Sequence, residues 1–384
     1  MESDLERTIL GRRQKGLRQG LFSPYLIEVP EPISMGTFSE IEENGKYLEG
    51  FRDRYEDDTP EREIFVGTRR VIAHGDLYRE ITNNPLFIRL CCIKQLGLHG
   101  LISGRGPDYV SDVSAQQNRY RHGLDTAVRM EIALRLNGCD NDMVNLGIAS
   151  GLLHDIYTPA FSDQGKLANR EMFDEEKNIE MILKDKRLKK ILQKIGVNPT
   201  DVISMVRGEY PTFGKFLNSE ELDIDKISYT VVDSENIHPS TVKPEDTHLF
   251  EWYRTDPYVR DLHESIYTDN NGKMAFLRAE PVRKLLYLRA WMHKNYYYSP
   301  ANRAREAFLE NELRKLWKKG KLSKKKMLKM NDSDLEHIIR GHVEERMHRE
   351  FFSLFPDAFC ESAKIKYHSV EEILKKIQRQ QLYC

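Results

Sequence analysis

MVNLGIASGLLHDIY, residues 143–157, is an apolar run that ends in a histidine and an aspartate. The run reads as a helix from Met143 to about Ile156. Its small residues, Gly147, Ala149, Ser150 and Gly151, would let neighbouring helices approach closely. An aspartate directly after such a run needs a partner, because burying a lone carboxylate is costly. Neutral imidazole beside carboxylate is ligand chemistry for divalent first-row metals. The dipeptide alone is common, and on its own it reads first as a helix-terminal histidine beside a solvated aspartate.

Working outward, the pattern around this helix stays helical. Upstream, PLFIRLCCIKQLG (85–97) places Leu86, Leu90, Ile93 and Leu96 near a 3.6-residue period, with Gly97 as a stop. His122 lies in NRYRHGLDTA and opens a second helix that runs to about Leu136. Asp225 opens a third in LDIDKISY, and a fourth covers Val282 to about Tyr296. Three separate helices could therefore bring His122, His154, Asp155 and Asp225 to one point. Asp225, Tyr229 and Asp233 are spaced by four, so they share one helix face.

The flanks differ from this core. Residues 1–70 form an entry region that starts basic (Arg12, Arg13, Lys15, Arg18) and continues into the Pro-rich YLIEVPEPI. EIFVGTRRVIA (63–73) predicts a small β-hairpin around Gly67 and Thr68. Residues 71–299 hold the helical pattern, and 300–384 form a charged helical region. RKLWKKGKLSKKKMLKM (314–330) has no acidic residue and reads as a solvated face, with phosphate, nucleic-acid or oligomer contact as the weaker reading. Ser333 to Glu336 reads as a capping box that opens a further helix.

Composition bounds the rest. Across 384 residues, 40% are hydrophobic, which permits a sizeable core and argues against global disorder. Lys+Arg 59 against Asp+Glu 60 speaks against a protein whose whole surface binds nucleic acid. The five cysteines form no CxxC pair, and the adjacent Cys91 and Cys92 suit a helix better than a disulfide or zinc site. With no signal-like start and no apolar run long enough to span a bilayer, the expectation is a cytoplasmic chain without membrane contact.

Several ordered segments resemble the HD-domain dNTP triphosphohydrolases, both the vertebrate enzyme with a sterile-alpha-motif domain and the bacterial dGTPases. The likeness rests on HGDLYREITNNPLFIRLCCIKQLG, NRYRHGLDTAV, GLLHDI, LDIDKISYTVVD and LRAWMHKNYYYSPANRAREAF. It implies a mainly α HD-domain helical bundle, with the hairpin near the N-terminus and a helical C-terminal lobe. It also implies a divalent metal (Mg, Mn or Fe, with Zn conceivable) held by His122, His154, Asp155 and Asp225. Arg119, Lys226 and Arg289 would contact phosphates. Gln95 and Asp233 would meet the 3′-hydroxyl, and Leu96 would crowd the place of a 2′-hydroxyl. Tyr229 and Tyr297 would line the sugar and base. The implied reaction splits a dNTP into deoxynucleoside and triphosphate, and the relatives' assembly implies a homo-oligomer.

This sequence departs from that pattern where the family carries proton-transfer histidines. Thr158, Asp163 and Glu175 stand in their place, Glu176 keeps its position, and Tyr298 replaces a usual glutamine. Asp163 or Glu175 could serve as general acid if burial raised its carboxyl, with Glu176 orienting its neighbours. The competing expectations are another HD phosphomonoesterase or phosphodiesterase, and a nucleotide-binding regulatory protein that has lost turnover.

Overall fold

The computed structural model describes residues 61–66, 69–74, 76–97, 118–235, 246–250, 256–269, 272–298 and 300–342. The expected entry region up to residue 60 lies outside these. The described chain is mainly helical. Two small antiparallel hairpins join the helices: β1 (Glu61–Val66) with β2 (Arg69–His74), and β3 (Ile266–Thr268) with β4 (Met274–Phe276). The first is the hairpin that the apolar runs predict, in a register that pairs Val66 with Arg69.

Among the described residues, ten α-helices are five residues or longer: α1 (Asp76–Thr82), α2 (Pro85–Arg89), α3 (Arg119–Leu136), α4 (Asn141–Leu153), α5 (Lys186–Lys194), α6 (Pro199–Val206), α7 (Ile224–Glu235), α8 (Ala279–Met292), α9 (Pro300–Lys318) and α10 (Asp332–Arg340). The centre is the antiparallel pair α3–α4. Asn118 caps α3 by accepting from the Arg121 N–H at 2.8 Å, and Asp140 caps α4 by accepting from Met143 at 2.9 Å. Gly138, at φ 74°, makes the short turn between them.

The small residues of α4 do what their size allows. A Cβ added at Gly151 would stand 2.6 Å from the Ala127 Cα, so the two backbones touch there. Leu152 and Leu153 are fully buried, each contributing on the order of 2 kcal/mol of apolar burial. The core continues without a break into the C-terminal region, where Phe308, Leu309, Leu313, Leu316, Met327, Leu335 and Ile339 join the same cluster. The lysines from 318 to 326 are exposed or half-buried around Leu322 and Met327, a mostly solvated face.

Two local expectations shift. The helix expected over 85–97 ends at Arg89, followed by one 3₁₀ turn, and Ile93 is already extended. Lys94 pairs instead with Asn118, and the Ile93 carbonyl accepts from the Arg119 N–H at 2.9 Å. The capping box sits two residues earlier than expected. The reciprocal pair is Asn331 with Asp334, at 3.0 Å in both directions, while Glu336 pairs with Arg340.

Candidate metal centre and cavity

His122 lies one turn into α3, His154 caps the end of α4, and Asp225 sits in the first turn of α7. Asp223 fixes where α7 starts: its carboxylate accepts from the Lys226 N–H at 2.8 Å, as an N-cap does. The His122 Nε2 is 2.8 Å from the Asp225 Oδ1, and the His154 Nε2 is 3.5 Å from the same oxygen and 3.2 Å from the His122 Nε2. Donors that share one ion at bonds of about 2.1 Å stand roughly 3–3.5 Å apart, so this cluster could hold a metal ion.

The outer nitrogens point the same way. The Gly151 carbonyl lies 2.7 Å from the His154 Nδ1 and can only accept, so Nδ1 carries the proton and Nε2 of the neutral ring turns a lone pair inward. The Ser228 hydroxyl, 3.2 Å from the His122 Nδ1, holds the second ring. Such outer contacts fix ligand orientation in metal sites.

The charges favour a cation at this point. Burial opposes ionisation of His154, but Asp155 and Asp225 outweigh it and raise the imidazole well above its ordinary value. Burial also disfavours the Asp225 carboxylate, yet hydrogen bonds from both histidines hold it well below the usual range. Both shifts favour positive charge at this point, the charge that a divalent cation would bring.

Asp155 stands beside this set. Its Oδ2 is 3.3 Å from the His154 Nε2 and 3.7 Å from the His122 Nε2, and the Arg119 Nη1 donates to the same oxygen. Against burial, Arg119 and then His154 keep this carboxylate well below its ordinary value.

Arg119 is held along its whole guanidinium. Nε and Nη2 donate to the Ser162 Oγ at 2.9 and 2.5 Å, and Nη2 reaches the Asp163 Oδ2 at 3.2 Å. Ser162 in turn donates to the Gln95 carbonyl at 2.9 Å. Phe161 and Ser162 both take left-handed backbone, at φ 61° and 54°, which non-glycine residues rarely adopt outside sites that need it.

A cavity of about 340 Å³ opens from the cluster, within the range of small-ligand sites. Its wall includes Gln95, Leu96, Arg119, His154, Asp155, Asp163, Asp225, Tyr229, Asp233 and Tyr297. Asp225, Tyr229 and Asp233 thus reach one space from successive turns of α7. Tyr297 donates to the Asp233 Oδ2 at 2.7 Å, and the Gln95 Oε1 is buried with no hydrogen-bond partner.

Lys226 and Arg289 are placed differently from what the resemblance implies. Lys226 turns to the Asp223 Oδ2 at 2.5 Å and the Ser219 carbonyl at 2.7 Å. Arg289 stands behind the wall, its Nε donating to the Tyr229 hydroxyl at 2.8 Å.

The expectation of a carboxyl raised by burial is not met at Asp163. Burial of its surroundings pushes upward, but Lys166 and Arg119 outweigh it and hold Asp163 below its ordinary value. The side chains of Glu175 and Glu176 lie outside the described residues.

Three wall residues escape the sequence reading: Gln164, His293 and Glu306. After α8 a π-turn over His293–Tyr297 presents His293, Tyr297 and Tyr298 to the cavity, a distortion found often at functional sites. Burial, with Arg289 nearby, pushes His293 down to about 4, so it is a neutral imidazole. Its signal was the four-residue spacing Arg289, His293, Tyr297. Glu306, from α9, is pushed up by burial despite its pairing with Arg303 at 2.5 Å.

No protein-family model matches the chain, and no curated protein matches it. Among solved structures, a hypothetical protein from Aquifex aeolicus is similar, with TM-score 0.52 and 20% identity over 83% of this chain and 76% of that one. The two chains share a fold. A phosphohydrolase from Bacteroides thetaiotaomicron aligns at TM-score 0.47 and 19% identity, over 80% of this chain and 74% of its own. Among the described residues, no helix is long and apolar enough to cross a membrane.

Proposed function

We propose that this chain is a metal-dependent phosphohydrolase of the HD type acting on a nucleotide, with a dNTP triphosphohydrolase as the finer form. One observation carries the reading: buried His122 meets His154 and Asp225, and those two line a cavity that also holds Arg119. Among the described residues, Asp155, Asp163, Asp225, Asp233 and Glu306 line that cavity against a single arginine, so a phosphate ester needs further positive charge to enter. A divalent ion held by His122, His154 and Asp225, with Asp155 as fourth ligand, would supply that charge and acidify a bound water.

The chain's own groups do the rest. The planar Arg119 fork matches two phosphate oxygens. The unpartnered Gln95 Oε1 and the Asp233–Tyr297 pair offer contacts to sugar hydroxyls, beside the apolar wall of Leu96. Tyr229 and Tyr297 offer ring faces. Asp163, held ionised by Lys166 and Arg119, fits a proton acceptor better than a donor. That one point favours a second reading, a regulatory protein that binds nucleotide without turning it over. A homo-oligomer and a cytoplasmic setting belong to the leading reading through the resemblance and, among the described residues, the free Cys91, Cys92 and Cys139 thiols.

The test is a panel of dNTPs, nucleoside monophosphates and cyclic nucleotides incubated with Mn²⁺-loaded protein. Tripolyphosphate as product supports the finer form, and inorganic phosphate or ring opening supports another HD phosphoesterase. Nucleotide binding without product supports the regulatory reading. A pure protein that binds no divalent metal even when Mn²⁺ is supplied sinks all three.

A further inference from the structure

The left-handed pair Phe161–Ser162 orients Arg119, and its anchor comes from a distant part of the chain. Asp332, the first residue of α10, is 5% exposed. Its Oδ1 accepts from the Phe161 N–H at 2.7 Å, and its Oδ2 accepts from the Lys94 N–H at 2.8 Å. One carboxylate therefore joins two loops. The first leads into Ser162 and Asp163; the second leads into Gln95 and Leu96.

The segment before Asp332 lies across the same loop. The Met327 carbonyl accepts from the Ala160 N–H at 3.4 Å. Arg89 completes the bracket: Nη1 donates to the Met330 carbonyl at 3.1 Å, and Nη2 donates to the Thr158 carbonyl at 2.6 Å. Thr158 in turn donates to the Asp155 Oδ1 at 3.2 Å.

We propose that Asp332 is a positioning residue: by pinning Phe161 and Lys94 it holds the Ser162 hydroxyl and the Gln95 carbonyl where they aim the Arg119 guanidinium into the cavity. The chain of contacts is continuous, from Asp332 through Phe161 to Ser162 and on to Arg119. A two-residue stretch of left-handed, non-glycine backbone relaxes unless its surroundings over-determine it. The local bonds there, Ser162 N–H to the Pro159 carbonyl and Gln164 and Gly165 N–H to the Phe161 carbonyl, stay within the loop, while the Phe161 N–H ties it to Asp332. The candidate metal ligands His122, His154 and Asp225 stand on α3, α4 and α7, whereas Asp332 bonds the loops at Phe161 and Lys94. The inference rests on the phosphohydrolase reading only for its consequence on phosphate binding.

Asp332→Asn keeps the size but replaces one acceptor by an NH₂ that faces an N–H. The expected result has three parts. Hydrogen exchange over 158–166 and 93–97 rises at least tenfold, while 122–134 and 144–153 keep their protection. Affinity for tripolyphosphate on Mn²⁺-loaded protein drops about tenfold, the scale of losing a charge-assisted hydrogen bond. Affinity for Mn²⁺ itself stays within twofold.

Leu335→Ala, in the same helix and buried, is the control. It lowers the melting temperature but leaves exchange over 158–166 and tripolyphosphate affinity near wild type. Equal effects of the two variants, or unchanged exchange over 158–166 in Asp332→Asn, overturn the inference. Should Asp332→Asn fail to fold, the wild-type chain still decides: its Phe161 and Lys94 amides must be protected, and rapid exchange at both overturns the proposal. Wild-type protein that binds neither Mn²⁺ nor tripolyphosphate removes the phosphohydrolase reading, while exchange alone continues to decide the link.

Discussion

The Nε2 atoms of His122 and His154 face one another across 3.2 Å. His154 spends its Nδ1 proton on the Gly151 carbonyl, so the Nε2 of its neutral ring turns a lone pair toward the His122 Nε2 and the Asp225 Oδ1, where a cation or a proton would stand. Asp225, 2.8 Å from one ring and 3.5 Å from the other, adds a charge of the sign that a cation needs. Convergence of this kind is expensive for a fold to hold without a ligand.

Ser228 is the handle on this geometry that leaves the ligands untouched. Its hydroxyl lies 3.2 Å from the His122 Nδ1. Removing a contact behind a metal ligand costs roughly 10–100-fold in metal affinity. Ser228→Ala should therefore weaken Mn²⁺ binding about tenfold by calorimetry, with little change in circular dichroism. Unchanged affinity would show that the His122 ring is oriented by packing alone.

Gly147 and Gly151 lie one turn apart on α4, yet they should respond unequally to alanine. At Gly151 the new methyl meets the Ala127 Cα at 2.6 Å and its N at 2.8 Å, both rigid backbone. At Gly147 it meets the tip of the Leu134 side chain, which can turn away. Gly151→Ala should cost about 1–3 kcal/mol or more by overpacking and weaken metal binding, since His154 follows within a turn. Gly147→Ala should cost less and spare the metal. Thermal melts of both variants, with and without Mn²⁺, check the order; the reverse order would mean that α3 and α4 can slide.

How much of this was legible in the sequence depends on the range of each interaction. The α3–α4 pair could be read because caps, small residues and an apolar period are local signals. Asp225, Tyr229 and Asp233 could be placed together because a helix fixes side-chain direction over four residues. The early end of α2 was hidden: Leu86, Leu90, Ile93 and Leu96 keep a helical period, but the bridge from Lys94 to Asn118 takes the chain out of the helix. The orientations of Lys226 and Arg289 were hidden as well. Each is captured by a partner, Asp223 or Tyr229, and the motif does not show that capture. No local signal marks the left-handed backbone at Phe161–Ser162, since its anchor, Asp332, is far off in sequence.

Asp332 also gives a pH dependence with a definite sign. Burial pushes its carboxyl up to about 6, against the pull of the Lys94 and Phe161 N–H groups and the nearby Lys94 and Arg89 cations. The Cys92 thiol and the Asp334 carboxylate are the other titratable groups close by. An acid raised in the folded state contributes stability that is present below its unfolded value of 3.8 and is lost as pH rises through about 6. The loss is roughly 3 kcal/mol at most for a shift of about two pKa units. Denaturant unfolding of wild type and Asp332→Asn at intervals from pH 4 to 7 isolates it. The stability difference, wild type minus variant, should shrink as pH rises through this window. A constant difference would mean that Asp332 stays ionised throughout, held by its two backbone donors.

Arg119→Lys keeps the charge and removes the fork. A lysine cannot donate at once to Asp155 and, through two nitrogens, to Ser162. If Arg119 meets the phosphate in the transition state, turnover of the preferred nucleotide should fall about 100-fold or more, the scale of losing one preorganised donor to developing charge. KM should change less than kcat, because a lysine still attracts the substrate. Metal content should fall far less than turnover, since the guanidinium bonds the proposed fourth ligand, Asp155, and a lysine keeps the positive charge beside it. Equal loss of metal and turnover would instead mean that Arg119 acts by holding Asp155 in place. Arg119→Lys with full turnover would remove Arg119 from the phosphate site altogether.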